Sequence, residues 1–362
     1  MIKSIKVSLK QNPYPILIGT NILSKVGRYL KELKTGEDAV IITNPIIQRN
    51  HGKALISSLK KEGFSVKIIA IPSGEQAKSA QQAFKIIEKV ARYDVMKKIF
   101  IIAFGGGVVG DLTGYVASAY KRGIPYVQIP TTFLAQIDSA IGGKVAIDLP
   151  VGKNLVGSYY HPKLVFSDVA VLKTLNVRQI RNGLAEAVKY GVIYDQQLFK
   201  FIENNFNRIL KLDFKALLKV VSRSSEIKTA VVESDEKETK GIRTILNFGH
   251  TVGHAIEAAA EYHDYHHGEA IALGMRVAAE ISYQLKLMKR KEVLRLNQLL
   301  TNIGLPKRIK KVNLRKILSM MRHDKKFISR KNRFVLSTGL GHVKIVENIP
   351  MSVIVDAIKS IM

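Results

Sequence analysis

The segment RTILNFGHTVGH, Arg243 to His254, carries two histidines four residues apart. In an α-helix such residues share one face, one turn apart, and two imidazoles there can converge on one ion. The chain has nine histidines, and five of them (His250, His254, His263, His266 and His267) fall in one short Gly- and Ala-rich stretch. Imidazole is a common ligand of zinc and related metals, so this density points to a metal centre more than to solvated surface groups. The metalloprotease helix H-E-x-x-H places a glutamate directly after its first histidine. Thr251 stands there instead, so a carboxylate ligand must come from elsewhere. Arg243, Asn247, His250 and His254 step at one-turn intervals and are expected to form a single polar stripe on one helix. Such a stripe is costly to bury without a ligand.

A second chemical signal lies in FIIAFGGGVVGD, an apolar run followed by Gly105, Gly106, Gly107 and Gly110. Glycines let a backbone approach a pyrophosphate, and the helix N-terminus that follows offers free N–H groups. The usual dinucleotide fingerprint adds an acid about twenty positions on, but YVQIPTTFLAQ holds none. This reads as a phosphate-binding loop outside the standard arrangement, with a tight strand-to-helix turn as the plainer alternative. In IPSGEQAK, a Pro-Ser-Gly turn is expected to open a helix whose first turn carries Glu75 and Lys78, and Glu75 could supply the ribose acid. Arg122, Asp138, Lys144, Lys153 and Asn154 follow in glycine-rich surroundings, and Glu186 and Lys189 share a helix face in RNGLAEAVKYG. Together these groups describe a site for a phosphorylated, carboxylated, hydroxyl-rich molecule beside a metal and a dinucleotide.

The elements that must position them read clearly. AVIIT (39–43), VKIIAI (66–71), KIFIIAF (98–104) and YVQIP (126–130) are buried strands by their apolar runs. HGKALISSLKKEG and SAQQAFKIIEKVARY lie between them with helical spacing. Such alternation predicts a doubly wound, mostly parallel, Rossmann-like sheet. Beyond about residue 170 the strand signal nearly vanishes. NGLAEAVKYGVIYD, FKALLKVVSRSSEIKTAVVES and HGEAIALGMRVAAEISYQLK are helical, and RFVLST is one late strand. The expected organisation is an α/β dinucleotide-binding domain over residues 1–168 and a mainly α-helical metal- and substrate-binding domain over 169–362.

With 362 residues, 46% of them hydrophobic, the chain has enough apolar material for two domains. No apolar run approaches a membrane span. The opening MIKSIKVSLKQNPYP has no sustained apolar stretch or small-residue cleavage site, so a signal peptide is not expected. Cysteine is absent, which excludes a disulfide framework and thiolate chemistry. The net charge of +28 favours anionic ligands. Periodic apolar residues such as Val293, Leu294, Leu296, Leu299 and Leu300 run through and between the basic stretches KLMKRKEVLR, KRIKKVNLRK and RHDKKFISRKNR. They therefore predict amphipathic helices with solvated basic faces rather than a specific nucleic-acid site.

Taken in order and spacing, SGEQAK, GGGVVGDLTGYVAS, YKRGI, PTTFLAQIDSAIGGK, GKNLVG, GLAEAVKYG, LNFGHTVGHAIE, HGEAIALGM and DKK give the chain a resemblance to 3-dehydroquinate synthases, of the sugar-phosphate cyclase superfamily. It spans nearly the whole length. The resemblance implies zinc, or cobalt in its place, held by Glu186, His250 and His267, with His254 turned to substrate. It implies NAD contacted by Ser73, Gly74, Glu75 and Lys78, by the loop Gly106, Gly107, Val108, Val109, Gly110 and Asp111, and by Thr131, Thr132, Lys144, Lys153 and Thr174. Asp138, Lys144, Lys153, Asn154, Lys189, Arg243, Asn247 and His254 resemble the nicotinamide and substrate shell. Arg122 resembles an arginine that reaches the substrate phosphate, and Lys325 or Lys326 a lysine that closes over the substrate.

The chain also departs from the family pattern. Asn44 stands where an aspartate is common, Val145 replaces a threonine, and DEKETKGIR is one residue longer than usual, which bears on Lys228 as a further substrate lysine. The implied activity turns 3-deoxy-D-arabino-heptulosonate 7-phosphate into 3-dehydroquinate and phosphate, within the shikimate pathway of aromatic amino-acid biosynthesis. The implied enzyme is a cytoplasmic homodimer acting on a small sugar phosphate, with neither membrane nor specific nucleic acid as partner. Another sugar-phosphate cyclase, or a metal-dependent glycerol phosphate dehydrogenase, stays open as an alternative.

Overall fold

The expected strands carry β-branched residues on both faces, a composition that needs cover from both sides. In the computed structural model, which describes residues 2–261, 263–323 and 332–362, they receive it. Lys325 and Lys326, expected over the substrate, lie outside the described residues. The antiparallel pair β1 (Lys3–Val7) and β2 (Tyr14–Gly19) starts the chain, and β3 (Asp38–Thr43), β4 (Ser65–Ala70), β5 (Ile99–Gly105), β6 (Tyr126–Pro130) and β9 (Val165–Asp168) complete one sheet. Its order is β1-β2-β9-β6-β5-β3-β4, parallel at every pairing except β1 with β2. A separate antiparallel pair, β7 (Lys144–Leu149) and β8 (Gly152–Tyr159), had no clear signal in the sequence.

The connecting helices are α1 (Val26–Leu33), α2 (Pro45–Lys61), α3 (Ala80–Tyr93) and α4 (Gly107–Ala119). Every residue of β5 is buried, and Ile101 packs in one cluster with Val40, Ile42, Val109, Leu112 and Val116. Each such side chain contributes roughly 1.5–3 kcal/mol relative to exposure. This core fixes where the strand ends and α4 begins, and so the position of the glycine loop.

The later chain forms α5 (Val177–Ile193), α6 (Gln196–Leu210), α7 (Phe214–Ser234), α8 (His250–Ala259), α9 (His267–Gln284), α10 (Arg290–Asn302), α11 (Leu314–His323), the antiparallel pair β10 (Arg333–Gly339) and β11 (His342–Glu347), and α12 (Met351–Lys359). In α10, Val293, Leu296, Leu299 and Leu300 are buried as the periodicity predicts, while Leu294 is exposed. By packing, the chain forms two compact units: residues 1–176 with 217–237, and residues 177–216 with 238–362. Among the described residues no helix is long and apolar enough to cross a membrane.

Candidate active site and metal centre

Small residues bring the histidines of the second unit together. Gly249 has φ +78° and precedes α8, and a Cβ there would lie 2.7 Å from Met275 N. A Cβ on Gly253 would lie 2.8 Å from Ile271 Cδ1, and one on Gly268 would enter the backbone of Asn182 on α5. The three helices thus approach at near backbone contact. His250 opens α8, His267 opens α9, and Glu186 lies one turn beyond Asn182. His266 is spent as the α9 N-cap, where its N–H donates to Glu269 Oε2 at 2.8 Å.

Ligand atoms of Glu186, His250 and His267 all lie within 4.8 Å of one another. His250 Nε2 and His267 Nε2 each sit 3.7 Å from Glu186 Oε1. Tetrahedral zinc at about 2.0–2.2 Å from its ligands would hold them roughly 3.3–3.6 Å apart. Glu186 is 0% exposed, and neither of its carboxyl oxygens accepts a hydrogen bond, although Lys189 Nζ forms an ion pair with Oε2. A buried carboxylate left so short of partners is costly, and a divalent ion would supply what it lacks. The histidines are oriented for the task. His250 Nδ1 lies 3.1 Å from Phe248 O and His267 Nδ1 lies 3.3 Å from Glu257 Oε2, which leaves both Nε2 atoms turned to Glu186. Glu257 was not singled out in the sequence; its signal was its place one turn after His254. His254 is exposed, with its ring 5.1 Å from that of His250, and His263 is exposed.

The polar stripe expected from Arg243 to His254 is not one helix. Ile242–Asn247 is a 3-10 turn, and the left-handed Gly249 separates it from α8. Close packing on α9 imposes that break, so the one-turn spacing does not carry across it. Arg243 is nonetheless buried, and Asn247 is half-buried.

In the first unit, Glu75 and Lys78 also differ from expectation. Glu75–Ala77 forms a short 3-10 turn, and α3 starts afresh behind the Ser79 N-cap. Lys78 is buried and its Nζ donates to Asp111 Oδ2 at 2.6 Å and to Asn154 Oδ1. Burial alone would lower its pKa, but Asp111, Asp148 and Glu75 outweigh that and hold it above the ordinary lysine value. Asn154 N donates to Asp148 Oδ1 at 2.8 Å, and Lys153 Nζ lies 3.6 Å from Glu75 Oε1. Residues widely separated in sequence therefore meet at one charged cluster.

The glycines of the loop divide by role. A Cβ on Gly110 would lie 2.8 Å from Gln128 Oε1, so that glycine serves helix-on-strand packing. Gly106 caps α4 with extended backbone and no side-chain cap, so no cap side chain satisfies the first N–H groups of the helix. Val108 and Gly107 are half-buried, and Val109 is part of the core.

Several other candidates bond within the protein. Lys228 Nζ donates to Asp138 Oδ1 at 2.5 Å and to Asp138 O at 2.8 Å. Thr131 is buried, and Thr132 Oγ1 accepts from Ala135 N at 3.2 Å. The Thr174 hydroxyl donates to Val171 O and lies 2.9 Å from His51 Nε2. Asn44 is the α2 N-cap, accepting from Ile47 N, so its side chain serves the helix. Lys144 and Arg122 are exposed, and Arg122 follows Lys121 with both at positive φ. Ser73 and Gly74 lie in the turn before the 3-10 segment.

Residues 68–182 match the family model described as 3-dehydroquinate synthase N-terminal, and residues 183–327 match 3-dehydroquinate synthase C-terminal. The 3-dehydroquinate synthase of Desulforamulus reducens is 43% identical over 347 residues, covering 96% of each chain. The chain belongs to the 3-dehydroquinate synthase family. Its fold is shared beyond the 3-dehydroquinate synthases. A 2-deoxy-scyllo-inosose synthase, solved with carbaglucose-6-phosphate, NAD+ and Co2+, matches with a TM-score of 0.90 at 28% identity, over 99% of this chain and 100% of that one. The 2-epi-5-epi-valiolone synthase of Streptomyces hygroscopicus subsp. jinggangensis, with NAD+ and Zn2+ bound, has a TM-score of 0.88 at 24% identity over 98% of both chains, a likeness of fold alone.

Proposed function

We propose that the chain catalyses its family's reaction, conversion of 3-deoxy-D-arabino-heptulosonate 7-phosphate to 3-dehydroquinate and phosphate, with NAD and a divalent metal as cofactors. The observation that carries the cofactor reading is Glu186, fully buried, with Lys189 at Oε2 and with Oε1 facing two imidazole nitrogens at 3.7 Å. Glu186, His250 and His267 would hold the metal, and three protein ligands leave positions open for a substrate oxygen. When bound, the ion supplies Lewis acidity and NAD+ supplies reversible hydride acceptance, so the reaction has no net redox change.

The remaining roles belong to side chains of this chain. The uncapped N-terminus of α4 binds the cofactor pyrophosphate, and beside it Lys78 Nζ bridges Asp111 and Asn154. Ser73, Gly74 and Glu75 take the adenosine side, and Thr131, Thr132 and Thr174 line the cofactor's path. Asp138, Lys144, Lys153, Asn154, Lys189, Arg243 and Asn247 bind and orient the substrate and its nicotinamide partner, and Arg122 receives the substrate phosphate. Arginine suits carboxylate and phosphate because its fork bonds two oxygens at once. His254, exposed beside the metal ligands, moves a proton or holds a substrate hydroxyl. The first unit is the NAD-binding part and the second carries the metal. A cytoplasmic homodimer belongs to the same reading and is supported by the family resemblance. Incubation with the heptulosonate phosphate, zinc and NAD+ tests it: phosphate and 3-dehydroquinate should form together, and intact substrate after prolonged incubation would refute it.

A further inference from the structure

Glu257 sits on α8 one turn after His254 and is 7% exposed. Its Oε2 lies 3.3 Å from His267 Nδ1, while the other nitrogen of the same ring, Nε2, lies 3.7 Å from Glu186 Oε1. His267 is thus held between two carboxylates, one at each nitrogen. A neutral imidazole carries one proton, so a ring that ligates through Nε2 keeps its proton on Nδ1. That proton needs an acceptor, and Glu257 is placed to be one.

His254, Glu257 and His267 also bring ligand atoms within 4.8 Å of one another, so this trio could hold a cation by itself. The His267 nitrogen that faces Glu257 is Nδ1, at 3.3 Å. An ion at that nitrogen would be taken away from Glu186, which is fully buried and has Lys189 alone as its charged partner on α5. At Glu186 an ion meets Oε1 with the Nε2 atoms of both His250 and His267 turned toward it, and Glu257 is left the task of ring orientation.

We infer that Glu257 is a positioning residue of the metal centre: it accepts the Nδ1 proton of His267, fixes the tautomer and ring angle, and raises the basicity of Nε2 as a ligand. The inference rests on the metal reading given above. Partners of this kind typically change metal affinity by about 10–100-fold when removed.

The test uses the full chain, loaded with Zn2+ or Co2+ and titrated against a chelator, in the wild type and in Glu257→Ala, Glu257→Gln and His254→Ala. One ion per wild-type chain is expected. Glu257→Ala should weaken binding about 10–100-fold and shift the visible absorption of the cobalt form. Glu257→Gln keeps an amide oxygen able to accept the Nδ1 proton, so it should fall between, and it carries the test if the alanine variant does not fold. His254→Ala should keep wild-type affinity. Wild-type affinity and an unchanged cobalt spectrum in folded Glu257 variants would overturn the inference while leaving the metal reading intact. Two ions in the wild type with one lost in Glu257→Ala would make Glu257 a ligand instead and overturn the positioning role. A wild type that binds no divalent ion would remove the metal reading and the inference together. Phosphate release by the wild type tests the reaction separately.

Discussion

Gly274 of α9 packs directly on Gly249 at the start of α8: a methyl group on Gly274 would overlap the Gly249 carbonyl oxygen and lie 2.7 Å from Gly253 N. Backbone cannot yield as a flexible side chain can, so Gly274→Ala should push α8 and α9 apart. The expected cost is about 1–3 kcal/mol of stability, with metal affinity reduced because His250 and His267 stand on the two separated helices. Thermal denaturation and metal analysis of the purified variant check both parts. A variant with wild-type melting and full metal content would show that the seam has slack.

Glu186→Gln and His267→Ala should each lose activity and carry well below one zinc per chain, since each removes one of three proposed ligands. His254→Ala should lose turnover and keep its metal. Metal analysis beside a phosphate-release assay separates these cases. A metal-free His254 variant would restore the simple helical pair of His250 with His254.

Phosphate should be released over many turnovers while NADH absorbance stays flat, because the cofactor is restored in each cycle. An ordinary dehydrogenase would accumulate NADH in step with product. Asp111→Ala removes a charged hydrogen-bond acceptor from Lys78 Nζ and should weaken NAD+ binding by roughly 10–100-fold, the equivalent of a charged hydrogen bond. Equilibrium titration of NAD+ measures it, and unchanged affinity would detach Asp111 from the cofactor.

Lys78 gives a pH signature. Its folded pKa is raised: burial opposes the charge, but the carboxylates of Asp111, Asp148 and Glu75 prevail. A raised pKa means that the charged form is favoured by folding. The contribution is complete below the ordinary lysine pKa and is lost as pH climbs through the folded value. Lys78→Met should cost about 3–5 kcal/mol near neutral pH by stranding Asp111, and the gap to wild type should narrow from about pH 8 to about pH 11. Denaturant unfolding at the two pH values reads this directly; a gap that widens with pH contradicts it.

The parallel sheet was legible because buried strands are written as short apolar runs, and β3, β4, β5 and β6 fall within a residue or so of the runs that announced them. The pair β7–β8 was not, since its residues alternate glycine, charge and isolated apolar positions. At the site, histidine density located the metal region, but helical spacing paired His250 with His254. The carboxylate that faces His250 comes from α5, and no local period encodes a contact between helices. Helical spacing singled out Glu186 beside Lys189, but only the family resemblance made it a metal ligand. The break at Gly249 was hidden for the same kind of reason. A glycine in a helical pattern is tolerated until a neighbouring backbone, here that of Met275 and Gly274, occupies the space beside it.

The return of residues 217–237 to the first unit has a consequence for synthesis on the ribosome. Asp138 and its partner Lys228 are ninety positions apart in translation order, so a nascent chain released as far as Asn176 exposes a first unit still missing a helix. Its sheet can assemble early, but the bonds that α7 makes, Lys228 to Asp138 and Ser225 to Gln136, wait until the chain has grown past Lys237. A fragment ending at Asn176 would therefore be a poor stand-in for the unit, with Asp138 deprived of its lysine partner.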